Sequence, residues 1–168
     1  MSSYGIAGSN PLAPFSNTIE ALLKDAIKTR WNSDYATPAG VTYPLEADII
    51  WLNTWVTGYR DVEIVFLHSF LDSPEIWKTT DWRMQGNQET VDCHVWVRGG
   101  GGDVQPTALN KVLNGLQTVV AKNKATLIPN ASVRIASSQR APTDTDDDYK
   151  NIWHYLIKIR VTYWTVNT

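Results

Sequence analysis

Apolar residues recur at helical spacing in two stretches of the chain. Ile19, Leu22, Leu23, Ala26 and Ile27 fall at i, i+3, i+4, i+7 and i+8, and Trp31 extends the stripe. A helix is expected there, capped by Ser16 or Asn17, with Glu20 completing a capping box and the end near Trp31. Glu20 and Lys24 are spaced to pair on its exposed side. The second stripe is Leu109, Val112, Leu113, Leu116, Val119 and Val120, with Pro106 in the first turn and the end near Asn123.

Elsewhere the period is two. Residues 46–56 put Ile49, Trp51 and Trp55 on one strand face and Ile50, Leu52 and Val56 on the other. Residues 61–71 set Val62, Ile64, Phe66 and Phe70 against Val65, Leu67 and Leu71. The short TGYR between them predicts a hairpin. Residues 74–87 read as a loop or a short edge strand around Ile76 and Trp77. In residues 88–99, Val91, Cys93, Val95 and Val97 oppose Thr90, Asp92, His94, Trp96 and Arg98. Strands over 132–138 and 149–166 close the chain. The last sets Trp153, Tyr155, Ile157, Ile159, Val161 and Tyr163 against His154, Leu156, Lys158, Arg160, Thr162 and Trp164. The pattern predicts an α+β fold: a mostly antiparallel β-sheet with two α-helices packed on one face. An extended N-terminal arm over residues 1–15 precedes a single domain over 16–168.

Composition narrows the function. A length of 168 residues fits one core that folds without staples. A net charge of −2 argues against broad nucleic-acid binding, which needs a surplus of Lys and Arg. One cysteine, Cys93, leaves no internal disulfide and no zinc knuckle. No apolar run nears the roughly 20 residues of a membrane span, and the N-terminal residues lack the basic and apolar regions of a secretory signal. Assembly in the cytoplasm is expected. Eight Trp, seven Tyr and three Phe are more aromatic bulk than a small interior takes easily, so some are expected at contacts with other chains.

Candidate chemistry is sparse. Cys93 and His94 are adjacent on a strand and point to opposite faces, so they form no nucleophile pair. His68, His94 and His154 fall in strands, and Asp92 shares the face of His94, but the spacing matches no metal signature. The run Asp144, Asp146, Asp147, Asp148 is similar to the opening of an EF-hand, yet Tyr149 stands where the loop glycine belongs and Tyr155 where the last Glu belongs. A solvated hairpin tip, or a negative loop facing an anionic partner or lining a DNA passage, are the open readings. Residues 99–102 are four glycines between strand and helix, but no GK[ST] follows, so a permissive connection is expected rather than a phosphate cradle. No enzyme, metal or cofactor is expected.

An amphipathic helix, a hairpin, the strand VDCHVWVRG, the helix PTALNKVLNGLQTVV and a final long hairpin ending KIRVTYWTV are expected in that order. This order, over roughly residues 16–166, resembles the tail terminator (tail-completion) proteins of tailed bacteriophages. The resemblance implies a virion protein of the tail and neck. Such a protein forms a ring, commonly a hexamer, that caps the tail tube, ends its polymerisation and meets the neck or connector protein, while viral DNA passes through without specific binding. On that reading Trp51, Trp55, Trp77 and Trp82 are expected at contacts with other subunits or the tube. Asp144, Asp146, Asp147 and Asp148 are expected near the lumen or the tube-facing rim. The alternatives are another neck or tail component (a head–tail connector or stopper, or a tube protein), a metal-dependent hydrolase using His68, His94, His154 and Asp92, and a ligand-binding α+β domain.

Overall fold

Helix α1, Ile19–Trp31, starts one residue later than the capping pattern suggested. The computed structural model describes residues 15, 17–40, 44–55, 61–69, 75–78, 84–99, 107–141 and 152–166. Thr18 is the cap, its hydroxyl accepting from the Ala21 N–H, while Asn17 Oδ1 accepts from the Thr18 N–H at 2.8 Å. With the cap at Thr18, Glu20 stands too early for a capping box. Lys24 pairs with Asp25 at 3.3 Å rather than with Glu20. Beyond Trp31 the helix widens into a π-turn, Asn32–Ala36, whose Tyr35 and Ala36 are buried. A polar clamp then ties the end of α1 to the end of the second helix. Arg30 donates to the Asn123 side chain and, at 3.1 Å, to the Thr126 carbonyl; Asn123 Nδ2 donates to Asp34 Oδ2 at 2.6 Å.

Among the described residues six strands form one sheet: β1 Ile50–Leu52, β2 Val62–His68, β3 Glu75–Lys78, β4 Met84–Arg98, β5 Ala131–Arg140 and β6 Ile152–Val166. Helix α2, Thr107–Lys122, joins β4 to β5. The strand order is β1-β2-β4-β6-β5, with β3 also pairing β4. Every pairing is antiparallel except β1 with β2. The fold is therefore α+β with a mostly antiparallel sheet.

The expected hairpin between residues 46–56 and 61–71 does not form. Ile50 pairs with Glu63 and Leu52 with Val65 in parallel register. The entry to β1 is tethered instead: Glu46–Asp48 is a 3-10 turn, the Glu46 N–H donates to Asn32 Oδ1 at 2.9 Å, and Trp51 Nε1 donates to the Glu46 carbonyl at 3.1 Å. The chain thus arrives from the end of α1, contributes three residues to the ladder and leaves it. The TGYR segment lies outside the described residues.

The core lies between the helices and one face of the sheet. Val62, Ile64 and Phe66, then Val91, Cys93, Val95 and Val97, then Ile157, Ile159 and Val161 meet Leu23, Ile27 and Trp31 of α1 and Leu109, Val112, Leu116 and Val119 of α2. Burying each large apolar side chain contributes about 1.5–3 kcal/mol. Trp31 is fully enclosed, and its indole N–H donates to the Pro44 carbonyl at 3.3 Å. Phe15 packs edge-on to Tyr163 with centroids 4.7 Å apart. The β4–β6 ladder runs through fifteen residue pairs, about 50 Å of strand. Helix α2, at 16 residues, is only about 24 Å long, so the ribbon outruns the helical layer.

Candidate interaction surface

Alternation along the strands gives the sheet a second face, and among the described residues no helix covers it. It carries Glu63, Val65 and Leu67 from β2, Asp92, His94 and Trp96 from β4, and His154, Lys158, Arg160 and Trp164 from β6; of these Glu63, Val65, Asp92 and His154 are buried. The chain after β1 folds onto this face. Asn53 Nδ2 donates to the Phe66 carbonyl at 3.4 Å, and the Trp55 ring stands edge-on to His94 at 4.7 Å and to Trp96 at 6.4 Å.

Strand register assembles the aromatic group at this end. Trp96 pairs with His154 and His94 with Leu156, so His94 and His154 are diagonal neighbours. His94 Nδ1 and His154 Nε2 are 2.9 Å apart. The His154 ring stacks on Trp96 at 3.6 Å with an 8° interplanar angle. Burial lowers the His94 pKa to about 4, so at neutral pH its ring is uncharged and its nitrogen either donates to or accepts from His154. The result is an aromatic cluster in which His154 is buried, His94 and Trp96 are half-buried, and Trp55 at the border is 57% exposed.

A second tryptophan group sits eight residues along β4, about 27 Å away. Trp77 of β3 pairs with Gly86, and Gly86 pairs with Trp164. The two indoles meet edge-on with centroids 6.0 Å apart, and Trp77 is 38% exposed. Gly86 is required here because a Cβ at that position would run into the Trp77 indole. Between the two groups the face is polar, with Thr90, Asp92, Lys158 and Arg160.

The expected site residues separate accordingly. Trp55 and Trp77 are exposed on the second face. Trp51 lies on the helix-covered side, half-buried, edge-on to Trp31 at 5.5 Å and stacked on Phe66 at 6.4 Å. Trp82 and the acidic run Asp144, Asp146, Asp147 and Asp148 lie outside the described residues. His68 pairs with Val91 and so falls on the core side, away from His94 and His154. The three histidines therefore do not converge, and among the described residues no group of three His, Cys, Asp or Glu could hold a metal ion. Cys93 is fully buried, and burial with the neighbouring Asp92 charge pushes its thiol pKa far up, so it is no nucleophile. A groove of about 350 Å³ between α1 and the turn before β5 is lined mainly by Leu22, Ala26, Leu127, Ile128 and Pro129. Asp25, Thr29 and Arg30 also line it, without the nucleophile–base geometry of a catalytic site.

Sequence reasoning put Trp96, His154 and Trp164 on strand faces but assigned none of them to a contact surface. Alternation marked the face each occupies, whereas the register of β4 against β6, which brings them together, is a non-local property. In comparisons with known proteins, no family model matches the chain and no curated protein matches it.

Proposed function

We propose that the chain is a structural virion subunit of a tailed bacteriophage, a tail terminator. It forms a ring that caps the tail tube, ends tube growth and joins the tail to the neck. Its partners are copies of itself, the tube protein and the neck protein, and DNA passes through the lumen without specific binding. The reading rests first on the order of helices and strands over residues 16–166. The observation that carries it further is the second sheet face, with Trp55 and Trp77 exposed near opposite ends and no helix over it among the described residues. Tryptophan is enriched at protein interfaces, so the exposed Trp55 and Trp77 support an assembly role. A head-to-tail ring needs two different contact surfaces per subunit, and a sheet with one covered face and two unlike edges supplies them. The low net charge suits a tube through which DNA slides.

Negative-stain electron microscopy of the purified full chain, alone and mixed with tail tubes, tests the reading. Closed rings of one size that sit on tube ends support it. Open filaments would assign the chain to the tube instead, and a monomer at every concentration would overturn the assembly role.

A further inference from the structure

We propose that Arg134 and Arg160 form the receiving site for the acidic segment Asp144, Asp146, Asp147 and Asp148 of a neighbouring copy, an ionic contact that closes the ring head to tail. This rests on the ring reading above and specifies one of its subunit contacts. Arg134 of β5 and Arg160 of β6 are direct cross-strand partners, so their side chains leave the same sheet face next to one another. Like charges placed directly opposite destabilise a strand pair. Among the described residues, neither arginine makes an ion pair or a hydrogen bond through its side chain. Lys158, one alternation along the same strand, has Asp92 as its cross-strand partner, whereas Arg160 has only Thr90.

A lone arginine on an edge strand has an ordinary role, blocking strand addition. That role does not extend to Arg160, which lies on the interior strand β6. Two guanidinium forks side by side match carboxylates, each able to bind one through two parallel N–H donors. The approach is open, since Arg134 and the stretch from Ala136 to Arg140 are exposed at the edge of the sheet.

The chain carries a fitting anion. Four aspartates fall within five residues between Arg140 and Ile152, the ends of β5 and β6. The arginine pair lies five residues along β6 from the Arg140–Tyr155 pair, about 17 Å from that end of the β5–β6 ladder. Each subunit therefore carries, at separate places in its sequence, an acidic segment and a basic pair, the two unlike partners a heterologous contact requires.

Two charge-reversed chains test this. One carries Asp144→Lys, Asp146→Lys, Asp147→Lys and Asp148→Lys; the other carries Arg134→Glu and Arg160→Glu. Assembly is read by analytical ultracentrifugation and electron microscopy, with circular dichroism confirming the fold. Each variant alone is expected to stay unassembled, and an equimolar mixture to form rings, because opposite charges then meet at every junction between unlike chains. Arg134→Gln with Arg160→Gln, a milder change, is expected to weaken ring assembly about 10- to 100-fold. Wild-type rings are expected to loosen between 0.15 and 1 M salt, as screening shortens from about 8 to about 3 Å.

If the wild type never forms rings, the ring reading fails and this contact with it. If the wild type forms rings and either reversed variant or the Gln variant still does so equally well, the contact is overturned while the ring stands. If both reversed variants fail and their mixture also fails, the attraction lies within one chain and the proposal is overturned. Rings that persist in the arginine variant but no longer retain DNA would make the pair a phosphate site and overturn it as well.

Discussion

Gly115 of α2 faces the six-membered ring of Trp31, and a Cβ there would overlap that ring. Alanine in place of an interior helix glycine ordinarily gains about 0.5–1 kcal/mol. Here the overlap decides the sign, because Trp31 is fully buried and its indole is held by the Pro44 carbonyl. Overpacking a closed core costs about 1–3 kcal/mol, so Gly115→Ala is expected to lower Tm by a few degrees in a thermal melt; a rise would show that the ring has room to move. His94 gives a pH signature. Its folded pKa, about 4, lies below the ordinary 6.5 because burial disfavours the imidazolium. Between those values the unfolded chain takes up a proton that the folded chain refuses, so stability is full above about pH 6.5 and declines as pH falls toward 4. Melts between pH 7 and 5, where most carboxylates are still ionised, should therefore show Tm falling in the wild type and a flatter profile in His94→Gln. Equal slopes in the two proteins would rule out His94 as the titrating group.

The long elements were legible from local pattern, and the short ones were not. Helix α2 and strand β6 each repeat one period over fifteen or sixteen residues, so both their type and their buried face follow from spacing. Strand β4 does so only in its second half, and its start, Met84–Asn87, expected as loop or short edge strand, is held in the ladder by pairing with β3 and β6 rather than by any local pattern. The core face of β4, with Val91, Cys93, Val95 and Val97, lies where alternation put it. Strand β1 differs, being three residues long and parallel to β2. Its direction is set by side chains that reach other segments, Asn32 to the Glu46 N–H and Trp51 to the Glu46 carbonyl, and no local pattern encodes such contacts. The bulge between Ile135 and Ser137 is of the same kind. It shifts the alternation by one, so that Arg140 joins the core-side face and lies over the Trp153 ring at 4.2 Å. The candidate surface depended on both levels. Period two gave the face of His94, Trp96 and His154, but only the pairing of β4 with β6 stacks His154 on Trp96. The aromatic excess that pointed to intermolecular contacts also divides structurally, into indoles within the core and indoles on the second face.

At the scale of the molecule that division separates folding from assembly, and one pair of substitutions exposes it. Trp51 packs among Trp31 and Phe66 and donates to the Glu46 carbonyl. Trp51→Ala removes a large half-buried ring and leaves space beside the core, at a cost of about 2–3 kcal/mol. Trp55, 57% exposed, touches His94 and Trp96 only along ring edges, so Trp55→Ala should cost the isolated subunit no more than about 1 kcal/mol. An exposed tryptophan at the centre of an interface commonly contributes 2 kcal/mol or more, which is about 30-fold in affinity. If the second face joins subunits, Trp55→Ala keeps a nearly native Tm at dilutions where the chain is monomeric and shifts ring assembly to roughly 30-fold higher concentration. Trp51→Ala does the reverse, losing Tm first and assembly only as the fold is lost. Sedimentation and thermal melts on the same two variants read both axes. A Trp55→Ala chain that assembles at wild-type concentration would move the subunit contact away from this end of the sheet, to the Trp77–Trp164 group or to the β5 edge.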